Sequence, residues 1–191
     1  MRKKLINGSI FEYRGVKYQV LIDRYTLKKS IKKMARRIKK DYQEFDEPPL
    51  LLTVTTGGTY LGVLLSLELG QLGLEHLHKT VTISRYGGNN QTKKISISKL
   101  PEKVMKKRRT IVVEDLVDEG ITLNNLFHKL KDIDLKSIEF CVLTIKKTHK
   151  PLDFQVKYCM FPEVEDDWLV GFGLDDNELG RWRSEICKKI I

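Results

Sequence analysis

Cysteine is scarce in this chain. Cys141, Cys159 and Cys187 are the only three in 191 residues. They are odd in number, far apart and without C-x-x-C spacing, which excludes a disulfide framework and a cysteine-ligated zinc site. Cys141, inside IEFCVLTI, reads instead as a small core residue. Long apolar runs are also missing, and none approaches the about 20 residues that a membrane-spanning helix needs. In MRKKLINGSIF, Asn7 and Gly8 interrupt the apolar segment after two residues, so no signal peptide is read there and a cytoplasmic protein is expected. His76 and His78 share the stretch LEHLHKT but lack a third ligand nearby, so they are expected at the surface near a helix end rather than on a metal. There is no internal repeat and no low-complexity linker. Acid is in deficit: 25 Asp and Glu stand against 35 Lys and Arg, a formal net charge of +10. That balance points to an anionic partner, whether nucleic acid, a membrane surface or a phosphorylated small molecule.

The length suits one well-buried core with an appendage. In TLKKSIKKMARRIKKDY, Leu27, Ile31, Met34 and Ile38 recur at helical spacing with Lys and Arg on the other faces. No aromatics interleave with the cations, which favours a solvated amphipathic helix over a nucleic-acid-binding one. After the break at EPP, LLLTV reads as a buried parallel strand, Thr55 to Gly58 as a turn, and TYLGVLLSLELG as a helix closing at Gly70. KTVTISRY and KKISIS alternate like strands on either side of GGNNQTKK, a polar stretch expected to be a mobile loop. TIVVED, a helix from Thr122 to about Lys131, and the strand SIEFCVLTI follow. The strand–helix alternation predicts an α/β fold with a mostly parallel twisted sheet flanked by helices. Its core is expected over residues 25–150. The aromatic, turn-rich tail over 151–191 is expected to join residues 1–24 in a small hood over the sheet edge.

The chemistry concentrates in IVVEDLVDEGITL, where Glu114, Asp115, Asp118 and Glu119 place four acids within six residues of a basic chain. Open α/β sheets bind ligands beyond the carboxyl ends of their strands, so Glu114 and Asp115 are expected at the mouth of the sheet. The following residues enter a helix, whose N-terminal amides and dipole suit an anion. Gly120 allows close backbone approach and Thr122 adds a hydroxyl. Carboxylates for sugar hydroxyls or a metal therefore stand beside an amide nest for a phosphate. An acidic N-cap would account for one of these acids, but not for three before the glycine.

This pattern closely resembles the phosphoribosyl-diphosphate (PRPP) motif of the type I phosphoribosyltransferases, and further segments resemble the hypoxanthine-guanine branch. TVTTGGTYLGVLL is similar to that branch's pyrophosphate loop, with Thr56, Gly57 and Gly58 at the turn; some members carry Lys where Thr56 stands. SRYGGNNQTKK resembles its flexible catalytic loop, with Tyr86 matching and Arg85 in place of the usual Ser. LTIKKT resembles the strand whose lysine meets the purine, which would be Lys146. DDWLVGFGLDDNELGRWR resembles the base pocket, with Trp168 stacking on the purine and Leu169 supplying the backbone contact at its 2-position. Asp175 would lie on the magnesium side and Arg181 near pyrophosphate.

The resemblance implies transfer of a phosphoribosyl group from PRPP to a 6-oxopurine, with Mg2+, in a homodimer or homotetramer. Glu114 and Asp115 would meet the ribose hydroxyls and the metal. Glu119, Gly120, Ile121 and Thr122 would hold the 5′-phosphate, although the better-known motif has Thr where Glu119 stands. Asp118 would handle the purine N7 proton. Physical chemistry supports these roles: lysine has only donors and so selects an oxo group over an amino group, an aromatic ring suits a flat base, and arginine suits phosphate. A PRPP-sensing regulator that binds nucleic acid, and a xanthine-preferring enzyme, stand as alternatives.

Overall fold

The computed structural model describes residues 8–86, 94–161 and 163–190. The stretch expected as a mobile loop falls outside these residues but for Lys94. The side chains of Arg85 and Tyr86, the residues assigned to the flexible loop, also fall outside.

The chain opens with a hairpin, β1 (Ile10–Tyr13) and β2 (Val16–Ile22), followed by the long helix α1 (Arg24–Tyr42). Asp23 caps α1, accepting from the amides of Tyr25 and Thr26 at 2.9 Å each. The expected stripe of Leu27, Ile31, Met34 and Ile38 is buried, together with Ala35 and Tyr42. Next come β3 (Leu50–Thr55), α2 (Thr59–Gln71), β4 (Leu77–Tyr86), β5 (Lys94–Ile97) and the single turn α3 (Glu102–Met105). The acid-bearing strand β6 (Arg109–Val117) leads to α4 (Ile121–Lys131) and β7 (Ser137–Ile145). The short strands β8 (Tyr158–Cys159) and β9 (Leu169–Val170) precede β10 (Ile186–Ile190).

Six strands form the core sheet in the order β5-β4-β3-β6-β7-β8. Every neighbour pair is parallel except β4 with β5, which is antiparallel. One apolar cluster packs α1 and α2 on one face of this sheet, and a second packs α4 on the other. A separate antiparallel sheet, β1-β2-β10-β9, joins the two ends of the chain around Tyr18, Val20, Val170 and Cys187.

Three expectations need correction. Residues 151–161 are expected in the hood, but Tyr158 and Cys159 add an edge strand to the core sheet. Tyr158 is fully buried and donates to Asp41 on α1 at 2.8 Å, while Phe154 stacks on Phe140 with ring centroids 3.7 Å apart. Apolar contact thus draws this stretch onto β7. Helix α2 does not close at Gly70. Gly73 takes the left-handed conformation (φ +76°), its amide donates to Gly70 O, and the Leu74 amide reaches back to Leu69 O. This is a Schellman cap, and the sequence signal lay three residues further on. His76 and His78 are half-buried rather than surface residues. His76 bridges Ser66 and Leu74 O, and His78 lies on β4 against Thr53 Oγ1 at 2.8 Å.

Helix α2 approaches β3 closely at Gly62. A Cβ there would lie 2.1 Å from Thr53 Oγ1, on a side chain that is buried and held by His78. Overpacking costs about 1–3 kcal/mol, against about 1 kcal/mol gained by alanine over glycine in a helix. At 2.1 Å the overpacking cost lies at the upper end of that range, about 2–3 kcal/mol, so Gly62→Ala should lower the unfolding free energy by about 1–2 kcal/mol net in urea titration; a variant as stable as wild type would contradict this packing.

Candidate active site

Chain order reverses direction across the core sheet between β3 and β6. From β3 the chain passes through α2 to β4 on one side, and from β6 through α4 to β7 on the other. Such a switch point leaves a crevice at the carboxyl ends of the two strands. Register shows where it opens: β3 pairs with β6 only as far as Thr53 with Val113, while β6 continues along β7 to Val117. Glu114 and Asp115 are the first residues of β6 beyond that parting.

Both acids are expected at an open mouth, but they lie deeper. Each is only 8 % exposed, and β6 continues past them. The turn after β3 fills the gap above. A Cβ on Gly57 would lie 2.3 Å from Asp115 Oδ2, and one on Gly58 would lie 2.7 and 2.8 Å from the carbonyl oxygens of Val54 and Val113. Gly173 completes the cover, since a Cβ there would meet Gly57 O at 2.1 Å. Only glycine allows backbone to come this near. The acid pair is therefore roofed by the peptide backbone of two loops, not by apolar side chains.

Burial sets the electrostatics. Loss of water, and then the adjacent Asp115 charge, push the Glu114 carboxyl well above the ordinary range, although the amides of Gly58 and Asp115 donate to it. Burial also raises Asp115, against the Glu114 hydrogen bond, the Leu116 amide at 2.8 Å and the charge of Arg181. Two like charges in one dry site favour a shared proton, carried by Glu114.

Arg181 ties the hood to this site. It donates to Gly173 O at 2.6 Å and pairs with Asp175 Oδ1 at 2.5 Å. Asp175 Oδ2 accepts from the Glu178 amide at 2.8 Å, so both its oxygens are occupied as the protein stands. The Asp175 carbonyl accepts from Trp168 Nε1 at 3.1 Å. Trp168 is 56 % exposed, so it is not a core residue and its ring is available as a platform. Leu169 is buried on β9. The structure thus brings Gly57, Gly58, Asp115, Arg181, Asp175 and Trp168 into one contiguous chain of contacts, with exposed Thr56 at its edge.

On the other wall, Gly120 takes φ +79° and stands at the N-cap of α4, where it has no side chain of its own to cap the helix. A Cβ on Gly120 would lie 2.6 Å from Leu152 Cδ2, so the turn is tight as well as left-handed. Glu119 is exposed and its carbonyl accepts from the Lys150 amide; Ile121 and Thr122 form the first turn of α4. Lys146, just past β7, is nearly buried and reaches Asp118 Oδ1 at 3.0 Å. A second acid meets it at the same distance, Asp166, which sequence reasoning missed. Asp166 sits in the run EVEDD, where nothing in the spacing marks one acid from the next. Gly173 was also missed, because close contact between two loops leaves no periodic trace.

Glu114→Gln keeps an oxygen to accept the Gly58 and Asp115 amides but removes the charge. An acid whose folded pKa is raised costs stability progressively as pH climbs above the unfolded value, because folding must then take up a proton. The variant should be more stable than wild type by about 1–2 kcal/mol near neutral pH. The gain should shrink on acidification toward the ordinary carboxylate range. Urea titrations at two pH values test this, and a variant no more stable at either would contradict the shared proton.

The sequence model of the phosphoribosyl transferase domain matches residues 23–177. A hypoxanthine-guanine phosphoribosyltransferase of Aquifex aeolicus is 28% identical over 177 residues, covering 92% of this chain and 96% of that protein. A hypoxanthine-guanine-xanthine phosphoribosyltransferase of Tritrichomonas foetus is 28% identical over 158 residues, covering 82% and 83%. Among solved structures, the hypoxanthine phosphoribosyl transferase of Trypanosoma cruzi superimposes with a TM-score of 0.80 at 22% identity, covering 93% of each chain, a likeness of fold. Match, fold and the crevice between β3 and β6 agree: the chain belongs to the phosphoribosyltransferase family.

Proposed function

We propose that this protein transfers the 5-phosphoribosyl group of PRPP to N9 of hypoxanthine or guanine, giving IMP or GMP and pyrophosphate. One observation carries the choice of base: a nearly buried lysine, Lys146, stands 3.0 Å from Asp118 and 3.0 Å from Asp166, which lies two positions ahead of Trp168 in the chain. An ammonium offers donors only and so favours a 6-oxo group over a 6-amino group. A PRPP sensor needs neither this pair nor the platform.

The roles are those the family resemblance implies, and the positions support them. The backbone of Glu119, Gly120, Ile121 and Thr122 holds the 5′-phosphate at the start of α4. The turn of Thr56, Gly57 and Gly58 receives the pyrophosphate, and Arg181 turns to it from Asp175. Trp168 stacks on the purine and the Leu169 backbone meets its 2-position. Glu114 and Asp115 accept from the ribose hydroxyls and favour the positive charge that develops on the sugar. As N9 bonds to C1′ and the pyrophosphate oxygen departs, Asp118 takes the proton from N7. The roles of Arg85 and Tyr86 in a closing loop rest on the family resemblance alone.

Mg2+ fits this donor set. Two adjacent carboxylates that repel each other in a dry site suit a hard divalent cation, which commonly takes one or two carboxylates together with substrate phosphates. Among the described residues no group of three or more His, Cys, Asp or Glu could hold a metal, in keeping with an ion that enters with its phosphates. When bound, it neutralises charge on the pyrophosphate. Asp175 becomes available on the metal side once Arg181 leaves it. A cytoplasmic homodimer or homotetramer is part of the proposal, and the exposed Tyr60, Val63, Leu64 and Leu67 on α2 offer a surface for self-association.

An ultraviolet assay with magnesium, PRPP and each of hypoxanthine, guanine, xanthine and adenine tests the function. Nucleotide should form from hypoxanthine and guanine and not from adenine; preference for adenine, or no product from any base, would overturn it. Asp118→Asn should lower kcat by about 100- to 10,000-fold with the KM for PRPP little changed. Full turnover in that variant would remove the assigned proton role.

A further inference from the structure

Lys146 is gripped from two sides. Its ammonium lies 3.0 Å from Asp118 Oδ1 and 3.0 Å from Asp166 Oδ1. Asp118 comes from the turn after β6. Asp166 comes from the segment before β9, two positions ahead of Trp168. That segment is fixed against the end of β7 by a bridge between Lys146 and Val164, and by the Lys147 amide donating to Val164 O at 2.9 Å. The acids beside Asp166 are engaged elsewhere: Glu165 pairs with Lys147, and Asp167 with Lys188 at 3.5 Å.

We propose that Asp166 is a positioning and specificity residue, holding the Lys146 ammonium toward O6 of the purine once Asp118 has turned to N7. The role rests on the phosphoribosyl transfer assigned above. Asp118 cannot serve both partners: when its carboxylate accepts the N7 proton it ceases to be a counter-ion for Lys146. A nearly buried ammonium left without a counter-ion is disfavoured and tends to lose its proton. A neutral amine can accept as well as donate, and the discrimination against adenine then weakens. Asp166 prevents this. Its side chain is 63% exposed against 10% for Lys146, so it reaches the lysine from the solvent side.

The charged groups facing Lys146 are Asp118 and Asp166. Burial works to lower the ammonium pKa, but the hydrogen bonds to Asp166 and Asp118 prevail and raise it. Removing Asp166 lowers it, so activity that needs the ammonium is lost at a lower pH on the alkaline side.

Asp166→Asn, Asp166→Glu and the neighbouring control Asp167→Asn separate this role from a structural one. In Asp166→Asn the KM for hypoxanthine should rise about tenfold, with the KM for PRPP unchanged. The alkaline limb of kcat/KM should move to lower pH, and turnover of adenine relative to hypoxanthine should increase. Asp166→Glu should recover much of the loss, and Asp167→Asn should behave as wild type. Unchanged purine kinetics in Asp166→Asn, or equal losses in Asp166→Asn and Asp167→Asn, would overturn the proposal. Titration of the Lys146 side chain by NMR reads the contact without turnover: its pKa should fall in Asp166→Asn and hold in Asp167→Asn. A wild-type chain that forms no nucleotide overturns the assigned reaction and this role with it, while the titration still reports whether the contact exists.

Discussion

Two adjacent carboxylates lie where a sheet comes apart. Past Thr53 and Val113, β3 and β6 no longer pair, and Glu114 and Asp115 occupy the first positions beyond the split. Ionised carboxylates do not settle in a dry crevice without compensation. Here the compensation is partial: a few backbone amides and the distant charge of Arg181 leave both carboxyls raised, which favours one proton shared between them. The site holds an unmet demand for positive charge and for hydroxyl donors, the demand that the magnesium-bound phosphoribosyl group of the proposed reaction would satisfy. Functional sites commonly carry such local destabilisation while the rest of the fold supports it. The support is visible in Leu50 to Leu52 on β3, Ile111 to Val113 on β6 and Phe140 to Leu143 on β7, all fully buried.

Glycine and the hood make the arrangement possible. Gly57, Gly58 and Gly173 let the backbone of two loops close over the acids at distances that no side chain would permit. The hood is assembled from both ends of the chain, and it delivers Trp168, Asp175 and Arg181 as a connected set rather than as separate residues. Movement of Arg181 toward a ligand therefore bears on Asp175, and through its carbonyl on the indole of Trp168. Charge in the cleft is arranged locally, with Lys146 and Arg181 each held by acids, which explains how an acidic pair persists in a chain of net charge +10.

The sequence displayed the elements well because their signals are local. The helical stripe of α1, the β-branched run of β6 and the strand–turn–helix at Gly120 depend on residues close together in the chain. Depth was not legible. Whether an acid sits at a mouth or under a roof depends on where β3 stops pairing with β6, a relation between segments some sixty positions apart. The same limit applies to β8, recruited by contacts of Tyr158 with α1 and of Phe154 with Phe140, and to His78, whose partner Thr53 lies on another strand. Asp166 was hidden in an acidic run that resembles any solvated surface. The cap at Gly73 was local and readable, but an earlier glycine on the same helix drew the boundary away from it.

The shared proton offers the most direct measurement. Binding of magnesium and PRPP should expel it, because two carboxylates that meet cationic and hydroxyl partners no longer need to share one. Calorimetric titration in buffers of different ionisation enthalpy counts protons exchanged on binding. Net release near neutral pH, lost in Glu114→Gln, is the expected result. Binding with no proton released, or with the same release in the variant, would contradict a protonated acid pair at the centre of the cleft.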